Sequence, residues 1–434
     1  MFPITKDRLE ASISNLAIAD VTTATIRQIC SLAAGLEEEA QEKFVHLEIG
    51  NPGLPAINIG VEAECAALQS GIANQYPNIG GIPALKDNGS KFLKAFLDID
   101  VPGRCIVPTV GSMQGSFTVL MLMAQRDPKK DSIVFINPGF PATHNQAKIL
   151  GLKDESFDIY EYRGKKLEDK LESILSKGNV TALIYSNPNN PAWTNLTEEE
   201  LEIIGRMATK HDVIVLEDLA YLGMDFRQEM GKPYEAPYVP TVAKYTDNYI
   251  LFVSASKIFS YAGQRIAMVC MSPAVYDRKY EFFEKFYEMP ALGDAYIFGI
   301  LYTASSGTAH SAQYAMAAMM GAAIEGKLNF IEECREYARR GEITRKMFLD
   351  NGFHIIYDID GDKPISDGFF FTAGYKDLTG GELQKELMRY GISSISLHCT
   401  GSDQEGIRVC VSMLNNDETF AALNDRLKAF NADH

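Results

Sequence analysis

The sequence predicts an α/β fold with a large, mostly parallel sheet covered by helices on both faces, joined to a smaller α+β domain. Continuous apolar runs rich in β-branched residues recur through the middle of the chain with helical patterns between them, which is typical of parallel strands buried on both faces. These runs lie at 133–136, 180–185, 213–216, 249–253 and 266–271. One intervening helix, at 197–211, begins with Thr197 and has Glu200 three residues later, the arrangement of a capping box.

The pattern changes beyond about residue 310. Two helical stretches are followed by three strand-like runs, at 312–324, 329–349, 353–357, 368–374 and 406–411. The first 50 residues have helical periodicity but too few apolar positions for a core of their own, so we expect them to pack on the second domain. The predicted division is an N-terminal arm (1–50), a large domain (51–310) and a small C-terminal domain (311–434).

Composition excludes several classes of function. The chain has 434 residues and a formal net charge of −16, so its surface repels nucleic-acid phosphates and anionic membranes. Its seven cysteines are scattered without a CxxC pair, which predicts a reduced, cytoplasmic protein without disulfides. The N-terminus is charged rather than apolar, and the run 315–324 is too short to span a membrane. Histidine pairs at metal-binding spacing are absent, so we expect no metal site.

Lys257 is the first candidate functional residue. It directly follows the predicted strand 249–253, with Ser254 before it and Arg265 eight residues later. A lysine amine forms an imine with a carbonyl cofactor, of which pyridoxal phosphate is the common case. The serine hydroxyl and the arginine would then hold the phosphate. The run by itself fits a surface lysine after a strand equally well.

Further polar residues follow the neighbouring strands, where ligands bind in open parallel sheets. Asp218 ends the run that starts at Val213, and its carboxylate suits a protonated pyridine nitrogen, with Tyr221 close behind. An acidic helix cap beside a packed tyrosine is the alternative. Asn190 lies in the proline-stiffened turn 186–191, where its amide can contact two acceptors, although a plain turn explains the segment as well.

Three more segments add weaker signals. The small-residue turn at Gly111, Ser112 and Met113 opens a helical run, so its backbone N–H groups can face a phosphate. Phe140 sits on a proline-rich loop and suits stacking on an aromatic cofactor, or packing in the core. Arg408 is a charged residue within an apolar strand, which suggests carboxylate capture or an edge-strand salt bridge.

Together these segments resemble the class I/II aminotransferases of fold type I, the pyridoxal-phosphate-dependent enzymes. The likeness runs in the family's order from about residue 45 to 412. The matching segments are 47–53, 76–81, the turn at Gly111, 137–141, 187–191, 218–221, 254–265 and Arg408. The resemblance implies a fold type I transferase with pyridoxal 5'-phosphate as cofactor.

The resemblance also implies a role for each matching residue. Lys257 would bind the cofactor covalently and move the proton between the substrate α-carbon and the cofactor. The other cofactor contacts would be Asp218 at the pyridine nitrogen, Tyr221 and Asn190 at the phenolic oxygen, Phe140 on the ring, and Ser254, Arg265, Gly111, Ser112 and Met113 at the phosphate. Tyr76 would reach the phosphate of a neighbouring subunit, which implies a homodimer with shared active sites. Arg408, Asn190 and the Gly50 backbone would clamp the substrate α-carboxylate.

The implied reaction is ping-pong transfer of an amino group between an L-amino acid and a 2-oxo acid. A pyridoxal-phosphate C–S lyase or amino-acid decarboxylase is the alternative, because it would share Lys257, Asp218 and Arg265. Two departures from the family pattern stand out. Ala192 and Trp193 replace its usual Thr-Gly, and no Arg or Lys lies in 286–326, where aspartate-type members carry an arginine for the second carboxylate. Dedicated aspartate specificity is therefore not expected.

Two other readings of the sequence fail on context. Ser254 and Lys257 match the S-x-x-K of serine β-lactamases, but a strand rather than a helix start precedes them and the companion motifs are absent. A cofactor-binding regulator of this scaffold would carry an N-terminal DNA-binding domain. The roughly 45 residues before the first motif are too few for such a domain, and the chain as a whole is acidic.

Overall fold

The computed structural model describes residues 2–434, with sixteen strands among them. In chain order they are β1 (Val45–His46), β2 (Ile106–Val110), β3 (Ser132–Asn137), β4 (Lys153–Asp154), β5 (Phe157–Asp158), β6 (Val180–Ser186), β7 (Ile214–Asp218), β8 (Tyr249–Ser254), β9 (Ile266–Met271), β10 (Phe353–Ile355), β11 (Ile359–Asp360), β12 (Lys363–Pro364), β13 (Phe370–Tyr375), β14 (Ile392–Ser393), β15 (Ile395–Ser396) and β16 (Ile407–Cys410).

Eight of these strands form one sheet in the order β2-β9-β8-β7-β6-β3-β4, with β5 also paired to β3. The neighbours among β3, β4, β6, β7 and β8 are parallel, and β9 runs antiparallel to both of its neighbours. The strand residues alternate between two apolar clusters, with Val215 in one and Ile214 and Leu216 in the other. The sheet is therefore covered on both faces, and the predicted fold class is confirmed.

Helices account for most of the cover. They are α1 (Lys6–Asn15), α2 (Ile26–Ala40), α3 (Asn58–Gln69), α4 (Pro83–Leu97), α5 (Gly111–Gln125), α6 (Pro141–Ile149), α7 (Lys166–Leu175), α8 (Glu198–Lys210), α9 (Ala255–Ile258), α10 (Pro273–Tyr276), α11 (Glu281–Tyr287), α12 (Leu292–Asp294), α13 (Tyr302–Ala304), α14 (His310–Ile324), α15 (Phe330–Glu333), α16 (Glu336–Asp350), α17 (Gly380–Arg389) and α18 (Asp417–Asp433). Helix α8 begins with the predicted capping box of Thr197 and Glu200, with both reciprocal hydrogen bonds present.

A second sheet, β10-β13-β16-β15, is antiparallel throughout. Strand β1 pairs in parallel with β14 close by, and helices α1 and α2 share an apolar cluster with Met388 and Ile395. Strand β1 thus brings the segment that follows it to the second sheet.

One predicted helix differs from the structure. The stretch 329–349 is two helices, α15 and α16, because the chain tightens at Cys334 and Arg335, whose N–H groups bond three residues back. The Cys334 thiol turns towards the carbonyls of Lys257 and Ile258, a tertiary contact that periodicity does not reveal. Within residues 2–434 no helix is long and apolar enough to cross a membrane.

Candidate active site

The carboxyl ends of β6, β7 and β8 bring three polar residues to one edge of the sheet. Ser186 is paired with Asp218 across β6 and β7, and Asp218 is paired with Phe252 across β7 and β8. Ser254 ends β8 two residues later. Parallel strands share the direction of their ends, so the loops that follow these residues surround a common space.

Lys257 lies on α9, directly beyond β8, and Ser254 caps that short helix by accepting a hydrogen bond from the Ser256 N–H at 3.2 Å. Burial lowers the pKa of the Lys257 amine to about 8, and the nearby positive charges of Arg408 and Arg265 act in the same direction. A considerable fraction of the amine is therefore neutral near pH 8, the form that acts as nucleophile and base. The alternative of a surface lysine does not hold.

Arg408 lies on β16, which is paired with β13 on one side and β15 on the other, so it is not on an edge strand. Its side chain is 1% exposed, and within residues 2–434 it forms no ion pair with a carboxylate. Nη1 donates to Asn190 Oδ1 at 3.2 Å, Nη2 donates to the Glu48 carbonyl, and Nε is buried without a partner. A buried cation with an unused N–H group is strongly favourable for a carboxylate ligand.

The segment after β1 connects Lys257 with Arg408. Lys257 Nζ donates to the Gly50 carbonyl, and Arg408 Nη2 donates to the carbonyl of Glu48, two residues earlier. Two residues of extended chain span about 7 Å at most. The amine and the guanidinium are therefore anchored on one short segment of the chain, two residues apart.

Asp218 and Phe140 line one cavity at the same edge of the sheet. Asp218 Oδ1 accepts a hydrogen bond from the Ala220 N–H at 3.1 Å, and burial raises the pKa of the carboxyl to about 6. No helix follows β7 directly, so Asp218 is not a helix cap. Tyr221 is buried, with its ring 5.4 Å from Phe369.

The turn at Gly111 begins α5, and Gly111 has the left-handed φ of +68°. An added Cβ there would lie 2.5 Å from Arg265 Nη2, so the arginine packs directly against the turn. Ser112 Oγ is buried without a hydrogen-bond partner, and Met113 is partly exposed. A hydroxyl without a partner, a guanidinium and the N-terminus of a 15-residue helix form a donor set suited to a phosphate.

Tyr76 is different from the other predicted residues, because its side chain is 91% exposed. Phe298 and Tyr302 are also large aromatic residues that are more than half exposed. The role predicted for Tyr76 concerns a neighbouring subunit, so it stays a prediction.

The structure adds three aromatic residues that the sequence did not single out as site residues. Lys257 Nζ lies 5.3 Å from the ring centroid of Phe369, and the Arg408 guanidinium lies 4.8 Å from that of Phe370. Trp193 contacts Phe370 with a centroid separation of 6.1 Å. A signal was present for each: 368–371 reads Gly-Phe-Phe-Phe, and Trp193 is the only tryptophan of the chain.

Comparison with known proteins identifies the family. The model of "Aminotransferase class I and II" matches residues 42–425, most of the chain. The chain belongs to this family. The resemblance inferred from the sequence motifs is thereby confirmed.

Individual relatives match shorter stretches of the chain than the family model does, at 25% to 30% identity. Nicotianamine aminotransferase A of Hordeum vulgare is 28% identical over 252 residues, which cover 57% of this chain and 52% of the relative. A probable aspartate aminotransferase of Methanocaldococcus jannaschii is 25% identical over 58% of this chain and 62% of its own. Aromatic-amino-acid aminotransferase 2 of Thermococcus litoralis is 30% identical over 46% and 50%. The match spans about half the length of these curated relatives.

Solved structures agree over nearly the full chain. Aspartate aminotransferase of Thermus thermophilus with maleate superposes with a TM-score of 0.72 at 17% identity, covering 96% of this chain and 98% of that chain. An Escherichia coli protein with a methionine aminotransferase function gives 0.73 at 17% identity, covering 92% and 97%. At such identities the likeness establishes the class I and II aminotransferase fold alone.

Proposed function

We propose that this protein is a pyridoxal-phosphate-dependent aminotransferase that moves an amino group between an L-amino acid and a 2-oxo acid. The observation that carries the proposal is the connection of Lys257 and Arg408 through the carbonyls of Gly50 and Glu48. It anchors an amine of lowered pKa and a buried guanidinium suited to a carboxylate on the same short segment, so that both would face one substrate. Family membership supports the same activity.

The residues present fit the cofactor. Asp218 would face its ring nitrogen, Phe140 its ring, and Ser112, Arg265 and the α5 N-terminus its phosphate; Ser254, Gly111, Met113, Asn190 and Tyr221 complete the proposed set. When bound, pyridoxal phosphate supplies an aldehyde for the amino group and a ring that takes up the electron pair of the α-carbon. A protonated ring nitrogen lowers the pKa of a buried carboxyl such as Asp218, so the pair would hold both charges.

The chain's own groups would divide the work as follows. Arg408 binds the substrate carboxylate, with Asn190 as its neighbour, and this places the α-carbon close to Lys257. Neutral Lys257 then removes the α-proton and returns it on the cofactor side, as a base near its own pKa is suited to do. The ring of Phe369 lies over the amine and covers one side of it. Tyr221, which is buried, would donate a hydrogen bond to the phenolic oxygen of the cofactor and would keep its proton.

We infer that the substrate side chain is apolar or aromatic. No arginine or lysine occurs in 286–326, and a phenylalanine ring lies against each of Lys257 and Arg408. Both features favour an apolar or aromatic substrate over a second carboxylate. The related aromatic-amino-acid aminotransferase 2 named above is compatible with that choice.

Assembly and location are also proposals. We infer a homodimer with shared active sites, supported by the exposed rings of Tyr76, Phe298 and Tyr302. The division into an arm (1–50), a large domain (51–310) and a small domain (311–434) accords with the two separate sheets. A cytoplasmic location accords with seven cysteines that are all free. Sedimentation of the wild type and of Tyr76→Ala tests the dimer.

The test of function is the visible absorption spectrum of the purified protein with pyridoxal phosphate, before and after a mixture of L-amino acids. We expect the band of the bound aldehyde to decay, a band of the aminated cofactor to grow, and a 2-oxo acid to reverse the change. Lys257→Ala, prepared in parallel, is expected to show neither band shift. Release of ammonia with pyruvate would favour a C–S lyase instead, and release of carbon dioxide would favour a decarboxylase. An absorption band that no amino acid changes would contradict the proposed aminotransferase activity.

A further inference from the structure

Trp193 holds an unusual position on the loop that carries Asn190. It is 0% exposed and has a left-handed φ of +62°, a conformation that strains any residue except glycine. Its backbone N–H donates to the Asn189 carbonyl at 3.1 Å. Its indole Nε1 is buried without a hydrogen-bond partner. Backbone strain and a buried unpaired donor both oppose folding, so the contacts of the ring must outweigh them.

Those contacts join the loop to the second sheet. The indole packs so tightly on Gly368 that a Cβ at that position would overlap Nε1, Cε2 and Cζ2. The indole edge also meets the rings of Tyr221, at a centroid distance of 5.4 Å, and of Phe370, at 6.1 Å. Only glycine at 368 permits this approach, so the contact is a matched pair of residues from the two sheets.

Two groups that contact the Arg408 guanidinium are each connected to Trp193. On one side, Asn190 Oδ1 accepts from Nη1, and Asn190 is three residues before Trp193 on the same loop. On the other side, the guanidinium lies over the Phe370 ring, which Trp193 contacts at its edge. A shift of the indole would therefore move the amide and the ring that fix the guanidinium.

We propose that Trp193 is a positioning residue that fixes Arg408 for the substrate carboxylate by packing the Asn190 loop against the Gly368–Phe370 segment. The inference deepens the proposed aminotransferase function and rests on it. Since the effect passes through the carboxylate clamp rather than through Lys257, its loss is expected to weaken substrate binding more than it slows proton transfer.

The test compares Gly368→Ala, Trp193→Phe and the double variant. The indole atoms that a Cβ at 368 would meet include Nε1 and Cζ2, which belong to the part of the indole that a phenylalanine ring lacks. We expect Gly368→Ala to raise the KM of the amino acid about 10- to 100-fold with kcat within about threefold, since misplacement of about 1 Å has effects of this size. Trp193→Phe alone removes the indole contact and should itself raise KM about 10-fold, so in that background Gly368→Ala should raise KM only a few fold further.

Gly205→Ala serves as the matched control. Its Cβ would lie 2.8 Å from Tyr245 Cβ, in α8 and outside the site, so it is expected to lower the unfolding midpoint and leave KM unchanged. Equal KM effects of Gly368→Ala in both backgrounds, or a KM that does not rise, would overturn the proposal.

The emission of the only tryptophan gives a second readout that needs no turnover. In the holoenzyme we expect Gly368→Ala to increase quenching of Trp193 emission by acrylamide, while Gly205→Ala leaves it unchanged. If the wild type does not transaminate, the proposed function fails. In that case, the carboxylate site around Arg408 is tested by calorimetric measurement of 3-phenylpropanoate binding. Weaker binding by Gly368→Ala than by the wild type supports the positioning role. Equal binding, or no binding by the wild type, overturns it.

Discussion

Arg408 and Phe370 lie on the same face of the second sheet, with the guanidinium 4.8 Å from the ring centroid. Strand pairing explains the contact: Arg408 is opposite Thr372, and Phe370 is two residues before Thr372, hence on the same side. The ring removes water from one face of the cation while Nε remains without a partner. The site is thus desolvated in advance of the carboxylate that we propose it binds.

The first prediction concerns that cation. Arg408→Gln removes the charge and one arm of the clamp, and we expect kcat/KM to fall about 100-fold or more, mainly through KM. Steady-state kinetics with the substrate found in the spectral experiment measure the change. Arg104→Gln is the control: its ion pair with Asp277 is half exposed, so activity should not change. A normal KM in Arg408→Gln would remove this residue from the site.

Reactivity of Lys257 should follow its lowered pKa. Only the neutral amine is nucleophilic, so labelling by trinitrobenzenesulfonate should rise through pH 8 and level off about one unit above it. Lys153 provides an internal control, because its hydrogen bond with Asp131 raises its pKa and delays labelling to higher pH. Peptide mass spectrometry of the labelled apoprotein measures the extent of labelling at Lys257 and at Lys153 separately. Parallel labelling curves would contradict the burial of the Lys257 amine.

We expect the Asp218 carboxylate to lower the stability of the apoprotein at neutral pH, although the activity requires it. Its pKa is raised from 3.8 to about 6, so the native apoprotein binds the proton more tightly and loses stability as pH rises through this window. At pH 7, the free energy of unfolding of Asp218→Asn should therefore exceed that of the wild-type apoprotein by up to about 3 kcal/mol. The variant should accordingly unfold at a higher urea concentration. At pH 4 the difference should nearly vanish. The variant should also lose transamination, and equal urea midpoints at pH 7 would refute the pKa assignment.

Gly111 and Gly326 make a matched pair for testing the phosphate site. Their φ values are +68° and +70°, but a Cβ meets Arg265 at Gly111 and nothing within 4 Å at Gly326. Alanine at either position should lower stability by about 1 kcal/mol through backbone strain. Only Gly111→Ala should also weaken pyridoxal phosphate binding, by about tenfold or more, in a spectral titration of the apoprotein. Equal affinities of the two variants would exclude the turn from the cofactor site.

Local sequence was sufficient to predict the central strands. Their apolar runs are long enough to be recognised in the sequence. Asp218 ends one of the strands, and Lys257 and Asn190 lie three and four residues beyond the ends of two others. The break between α15 and α16 was not predicted from periodicity; at that break the Cys334 thiol contacts the carbonyls of Lys257 and Ile258, more than 70 residues earlier in the chain. Trp193 was noticed only as a departure from the family pattern, since nothing local indicates that it meets Gly368.

The sequence by itself determined the fold class, the family and the order of the chemical groups, because these depend on periodicity and on motifs of a few residues. Tertiary structure decided what those groups do to one another. Burial lowers the pKa of Lys257, pairing of β16 on both sides helps to make Arg408 a desolvated cation, and the carbonyls of Glu48 and Gly50 anchor both side chains on one segment. The strand pairs join residues 13 and 36 positions apart, and the carbonyl contacts join residues 207 and 360 positions apart. Sequence patterns of a few residues carry no information about such contacts.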